Sequence, residues 1–235
     1  MRLKTNLVVA VACVLWPLSS FANVTPLKVA VVGGFSPTFK NLMPVLSRQM
    51  SKPIEMQVLS IPAIQSELKK TNFDLIITAA LDHSATFALP PDLKTMVIAY
   101  SPVVLWCPDP EIQMRVRIND TLKNKKIKTV ALSPVGTPMG DLVREQLVLP
   151  SHIQLKIVPH ALSTWQAAQQ GDADCAFTLL SLARPNSQYQ FLPHRGVKII
   201  AAIPKNSSNA DAATQLLKLL DRPLFRARIQ HYGYS

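Results

Sequence analysis

The chain is short of the residues that most enzymes work with. Only 14 Asp and Glu stand among 235 residues, and they show no clear pairing for general acid–base work. His83, His152, His160, His194 and His231 are scattered, without the i, i+3 or i+4 pairing or the neighbouring Cys that a zinc or copper site uses. Each reads as a surface or capping histidine. There is no G-x-S-x-G elbow, no P-loop and no G-x-G-x-x-G, which leaves serine-hydrolase and nucleotide chemistry without their usual cradles. Neither Cys107 nor Cys175 has a local context that marks a nucleophile. An enzyme is therefore not expected, and neither is a cofactor or a directly ligated metal. Beyond the N-terminus no apolar run approaches the ~20 residues needed to span a bilayer.

What is present begins with a targeting signal. Residues 1–22, MRLKTNLVVAVACVLWPLSSFA, have a basic start at Arg2 and Lys4, an apolar run, then Ser20-Phe21-Ala22. This is the form of a cleavable secretory signal peptide, with cleavage expected before Asn23 and a soluble exported chain beyond it. Formal charge is +11, or +9 once Arg2 and Lys4 leave. The basic residues are scattered, and their only dense run, Lys123 to Lys128, falls in a helix-to-strand turn, so nucleic acid is not the expected partner. Cys107 and Cys175 remain after cleavage. In an oxidising compartment they form either a disulfide or two buried thiols, and the sequence leaves that open.

About 213 residues suffice for two lobes of about 100 each. Apolar runs of four to eight residues alternate with helix-like segments along the mature chain, which predicts an α/β fold with largely parallel sheets. Strands are expected at 27–32, 54–59, 73–80, 95–106, 127–132, 154–158, 174–180 and 197–203. Several lead into hydroxyl-bearing helix entrances. Leu27 to Leu46 reads as strand, Gly33-Gly34 turn, and a helix opened by Ser36 and Pro37. Ser60-Ile61-Pro62 opens another, Thr137-Pro138 a third, and Ser163 with Gln166 forms a capping box at a fourth. A polar helix start is expected near Asp82. Backbone N–H groups at such entrances satisfy acceptor-only anions, and ligands in open α/β sheets sit outside the carboxyl ends of the strands.

In order and spacing, VAVVGGFSPTFKNL, VVLWCPDP, VALSPVGTPMGDLVREQL, CAFTLLSLA and the closing IQHYGY resemble the molybdate/tungstate-binding periplasmic proteins of ABC importers, within the type 2 periplasmic binding-protein fold. The resemblance implies a monomeric binding protein that closes two lobes over a small oxyanion and passes it to a membrane ABC permease. It places lobe 1 at 23–102 and 182–235, lobe 2 at 103–181, and hinges near Ser101-Pro102 and Leu180-Ser181. It also implies ligand contacts at Gly34, Ser36, Ser60, Met139 and Leu162. Three departures stand out. Gly33-Gly34-Phe35-Ser36 carries one side-chain donor fewer than the related loops, Pro62 removes an N–H, and no Tyr stands near Leu179. These motivate an alternative, a binding-protein fold that has lost oxyanion binding and acts as an accessory protein in the envelope.

Overall fold

The computed structural model describes residues 25–68, 70, 72–81, 89–90, 93–183, 188–193 and 196–235. The expected signal peptide and the helix start near Asp82 lie outside them, as do His83 and His194.

Two sheets of five strands each form the frame. The first is ordered β2-β1-β3-β10-β4, from Ile54–Leu59, Leu27–Val32, Leu75–Ala80, Val197–Ile203 and Lys94–Ser101. The second is ordered β7-β6-β8-β5-β9, from Gln154–Ile157, Thr129–Leu132, Cys175–Leu179, Val103–Trp106 and Tyr189–Phe191. In each, three parallel strands are extended by an antiparallel pair. Central strands are covered on both faces, which is why β3 and β8 are uninterrupted apolar or small-residue runs and wholly buried. Helix α1 (Ser36–Met50) buries Phe39, Leu42, Leu46 and Met50, one face of a 3.6-residue period, against the first sheet. In the second lobe α4 (Pro138–Gln146) and α5 (Ala161–Gln169) follow β6 and β7. The chain closes with α7 (Ala210–Leu220) and α8 (Pro223–His231).

The two lobes repeat one device. Asp74, just before β3, exchanges hydrogen bonds with Lys28 at the start of β1: Lys28 N–H donates to Asp74 Oδ2 at 2.9 Å and Asp74 N–H to Lys28 O at 2.8 Å. Asp174, just before β8, accepts from Lys128 N–H at 2.7 Å and Thr129 N–H at 2.8 Å at the start of β6. Each carboxylate therefore pins the start of one strand, β3 or β8, to the start of its parallel sheet neighbour, β1 or β6, which sets the register at the amino ends and leaves the carboxyl ends to the helix-leading loops.

The chain leaves the first sheet for the second between β4 and β5, at Ser101-Pro102. The return does not fall at Leu180-Ser181. After β8 the chain makes a short helix, α6 (Leu180–Ala183), and then adds β9 to the second sheet, paired with β5 from Val104↔Phe191 to Trp106↔Tyr189. The second sheet therefore keeps the chain through Phe191, and the return runs from there to Val197. Leu180 still lies beside the first crossing, its N–H donating to Pro102 O at 2.9 Å. Gly196 sits on the return at φ +89°, and a Cβ there would collide with the carbonyl of Ser101. Glycine is what lets the two crossings lie against each other.

Cys107 and Cys175 are joined by a disulfide, with Cα atoms 4.2 Å apart and a sequence separation of 68. They stand one step beyond the Trp106↔Ala176 pair, so the bond staples β5 to β8 across the middle of the second sheet. Closing a loop of that length restricts the unfolded chain, and its removal should cost about 2–4 kcal/mol. The variant with both cysteines replaced by alanine is expected to show that loss in urea denaturation, with the second sheet melting first in hydrogen exchange.

Candidate functional site

The turn between β1 and α1 is closed by Phe35 N–H donating to Val32 O at 3.0 Å and Ser36 N–H to Gly33 O at 3.3 Å. The helix therefore begins one residue earlier than the sequence suggests, with Phe35 at the N-cap. Ser36 is not the cap: its hydroxyl donates to Gly33 O at 2.8 Å. The second lobe closes directly on this turn. A methyl group on Gly33 would lie 2.5 Å from His160 Nδ1, and one on Gly34 would lie 2.6 Å from Leu179 Cδ1 and 3.3 Å from Ala161 Cβ. From the opposite side, Tyr234 Oη donates to Gly34 O at 3.0 Å and accepts from Ser181 Oγ at 2.9 Å. Burial pushes the Tyr234 phenol up to about 12, so it stays a donor. Its ring meets Phe35 edge-on at 5.3 Å.

In the second lobe, β6 ends at Leu132 and a tight loop leads to Thr137, the N-cap of α4. Thr137 Oγ1 accepts from Gly140 N–H at 3.2 Å and donates to Pro134 O at 2.7 Å. Asp141 Oδ1 accepts from Gly136 N–H at 2.8 Å, and the Arg144 guanidinium donates to the carbonyls of Ser133 and Gly140. For α5 the expected capping box at Ser163 is replaced by a histidine cap. His160 is the N-cap residue, and its Nδ1 accepts from Ser163 N–H at 3.1 Å.

These elements line a cavity of about 30 Å³ between the lobes. Val32, Ile61, Ala79, Leu179, Val197 and Ile199 form apolar walls; Ser133, Thr137 and His160 are the polar side chains on it; Gly34, Met139 and Ala161 bring backbone. Among the described residues no charged side chain lines it apart from the titratable His160. Among the described residues the N–H groups of Gly34, Met139, Ala161 and Leu162 have no acceptor, as the first turns of helices require. An open groove of about 290 Å³ lies at the mouth, walled by Ser60, Pro62, Pro134, Ile157, Val158 and Pro159.

The family model for bacterial extracellular solute-binding proteins matches residues 27–235. The chain belongs to that family. Solved structures share the fold of this solute-binding protein at low identity. The periplasmic molybdate-binding protein of Azotobacter vinelandii is 20% identical over 89% of this chain and 98% of that one, with a TM-score of 0.75. Peb3 from Campylobacter jejuni is 15% identical over 89% and 99%, with a TM-score of 0.65. The OxyR regulatory domain from Pseudomonas aeruginosa is 17% identical over 83% and 96%, with a TM-score of 0.58. None of the curated proteins compared matches in sequence. The architecture is that of a type 2 periplasmic binding protein.

The residues expected at the ligand fare unequally in this solute-binding protein. Gly34 and Met139 line the cavity. Leu162 is one residue past the lining Ala161 and packs against the core. Ser36 is buried behind the turn with its hydroxyl engaged, and Ser60 stands in the outer groove, at the N-cap of α2 (Ile61–Glu67) without a side-chain cap bond. Ser133, His160 and Leu179 line the cavity but were not expected there. His160 was read as a cap or surface residue; Ser133 offers no sequence signal beyond following a strand.

Two measurements test this geometry. Tyr234→Phe strands the carbonyl of Gly34 and the hydroxyl of Ser181, and should cost about 1–3 kcal/mol in urea denaturation. Burial holds the His160 imidazole below its ordinary 6.5, against an opposing hydrogen bond to its own backbone. The folded state therefore prefers the neutral ring. Its contribution is complete above 6.5 and is lost as pH falls through the lowered folded value. The midpoint of thermal unfolding should drop more between about pH 7 and 5 in the native protein than in His160→Asn, which keeps a good cap without the titrating ring.

Proposed function

We propose that this solute-binding protein is exported to the periplasm, captures a small tetrahedral oxyanion, molybdate or tungstate, between its lobes, and delivers it to a membrane ABC permease. The observation that carries the reading is the small cavity between the lobes, about 30 Å³, lined by Gly34, Met139 and Ala161 at the helix entrances and, among the described residues, by no carboxylate. A cavity needs roughly 10–15 Å³ to hold one water, so this one suits a compact guest. A fully deprotonated oxyanion only accepts hydrogen bonds, and N–H groups at helix N-termini satisfy it without a countercharge. The family and the molybdate-binding neighbour support import; the absence of paired carboxylates supports binding without catalysis. Closure is a hinge motion about the crossing at Ser101-Pro102 and its return through Gly196.

A second reading rests on the engaged hydroxyl of Ser36 and on Leu179, whose side chain occupies cleft surface beside Gly34. On that reading the fold has lost anion binding and serves as an envelope accessory protein. Thermal unfolding with molybdate, tungstate, sulfate and phosphate in turn separates the two. A ligand at about 100 times its Kd adds about 2.7 kcal/mol, a rise of about 5–10 °C for a chain of this size. That rise with molybdate and tungstate, and not with sulfate or phosphate, is the expected result. No rise with any of the four would reject the oxyanion reading in favour of the second.

A further inference from the structure

Among the described residues of the first lobe, no side chain donates into the cavity. Its lining residues there are Val32, Gly34, Ile61, Ala79, Val197 and Ile199, none with a polar side chain. Ser36 donates to Gly33 O and Ser60 lies outside in the groove. The second lobe is different. Ser133 follows β6 directly, at the carboxyl end of the sheet, and is 2% exposed. It lines the cavity, and among the described residues its hydroxyl has no hydrogen-bond partner, although its carbonyl is held by Arg144 at 3.1 Å. No described residue meets that hydroxyl, and its place on the cavity lining makes it available to a guest there.

His160 adds a second donor. Its Nδ1 accepts Ser163 N–H at 3.1 Å, so that nitrogen is unprotonated and the neutral ring carries its proton on Nε2. Ser163 Oγ is 3.0 Å from Nδ1 and 3.3 Å from Nε2. An oxygen nearly equidistant from both ring nitrogens cannot lie on the outward axis of the Nε2–H bond, so that proton is not directed at Ser163. Thr137 cannot serve in the same way, because its hydroxyl proton goes to Pro134 O at 2.7 Å.

We propose that Ser133 Oγ–H and His160 Nε2–H are the side-chain donors that hold the oxyanion, so that the second lobe carries the ligand and the first closes over it as an apolar cover. This rests on the oxyanion reading of the cleft. The sequence's expectation is thereby inverted: donors assigned to Ser36 and Ser60 in the first lobe are supplied from the second.

The test is isothermal titration calorimetry of the exported protein with molybdate and with tungstate, for the native chain, Ser133→Ala and His160→Asn. Asn preserves the cap on α5 while deleting the Nε2–H. Melting without ligand, followed by circular dichroism, checks that each variant folds; Ser133→Ala removes a hydroxyl that no protein group uses and should fold as the native chain does. Hydrogen bonds to a charged ligand predict a loss of affinity of roughly tenfold to a hundredfold for each variant. Native binding with both folded variants retaining affinity within about twofold would overturn the assignment of donors and leave the oxyanion reading standing. No binding by the native chain would overturn the oxyanion reading, and the donors with it.

Discussion

Two consecutive residues without Cβ atoms determine how closely the lobes can meet. His160 lies over Gly33, and Leu179 and Ala161 lie over Gly34, at separations that leave no room for a methyl group. Beneath the same turn, Tyr234 ties the Gly34 carbonyl to Ser181. The turn is thus held from both sides: by apolar and ring contact from the second lobe, and by a buried hydroxyl from the C-terminal segment. That segment is itself anchored, since Ser235 and Tyr100 exchange backbone hydrogen bonds at 2.9 and 2.8 Å and so fasten the chain end to β4. A side chain on Gly33 would run into the His160 ring and push the second lobe away, whereas one on Gly34 would first displace the tip of Leu179.

The same constraint explains how the helices are arranged. Asp74 and Asp174 fix the amino ends of β3 and β8 against those of β1 and β6, and the carboxyl ends of β1, β6 and β7 carry loops into α1, α4 and α5. The lobes then differ in what those loops hold. In the first, the turn hydroxyl bonds inward to Gly33. In the second, Thr137 and His160 cap their helices with one atom each, the threonine oxygen and Nδ1, and thereby fix where the first-turn amides of α4 and α5 lie.

Most of the fold was legible because central strands buried on both faces leave short apolar runs such as Leu75 to Ala80, whose length and β-branched residues mark them as strands. The return crossing was not, because β9 is three residues, Tyr-Gln-Phe, partly exposed at a sheet edge and without an apolar run to announce it. Within the site, the positions of the helix entrances could be read from Ser, Thr and Pro, but the direction of each hydroxyl could not. Ser36 looks like a cap in sequence. It loses that role because the Val32 and Gly33 carbonyls draw the turn closed one residue earlier. For α5 the sequence points to a capping box at Ser163, three residues too late, because histidine is not among the preferred N-cap residues, although its Nδ1 accepts in the same geometry as a carboxylate or hydroxyl.

The distribution of polar groups also bears on the order of events in binding. A dianion loses strong hydration on entering a cleft, and that cost is met only where donors are already in place. On the reading proposed for this protein, those donors stand on the open face of the second lobe: the amides that begin α4 and α5, with Ser133 and His160 between them. The first lobe brings one amide, at Gly34, and apolar walls from Val32, Ile61 and Ile199. Its closure adds little direct bonding but excludes water, and every remaining hydrogen bond to the anion is then stronger in the lower dielectric. The diglycine turn is what allows that exclusion to be complete, because it lets His160 and Leu179 seat against backbone instead of against side chains.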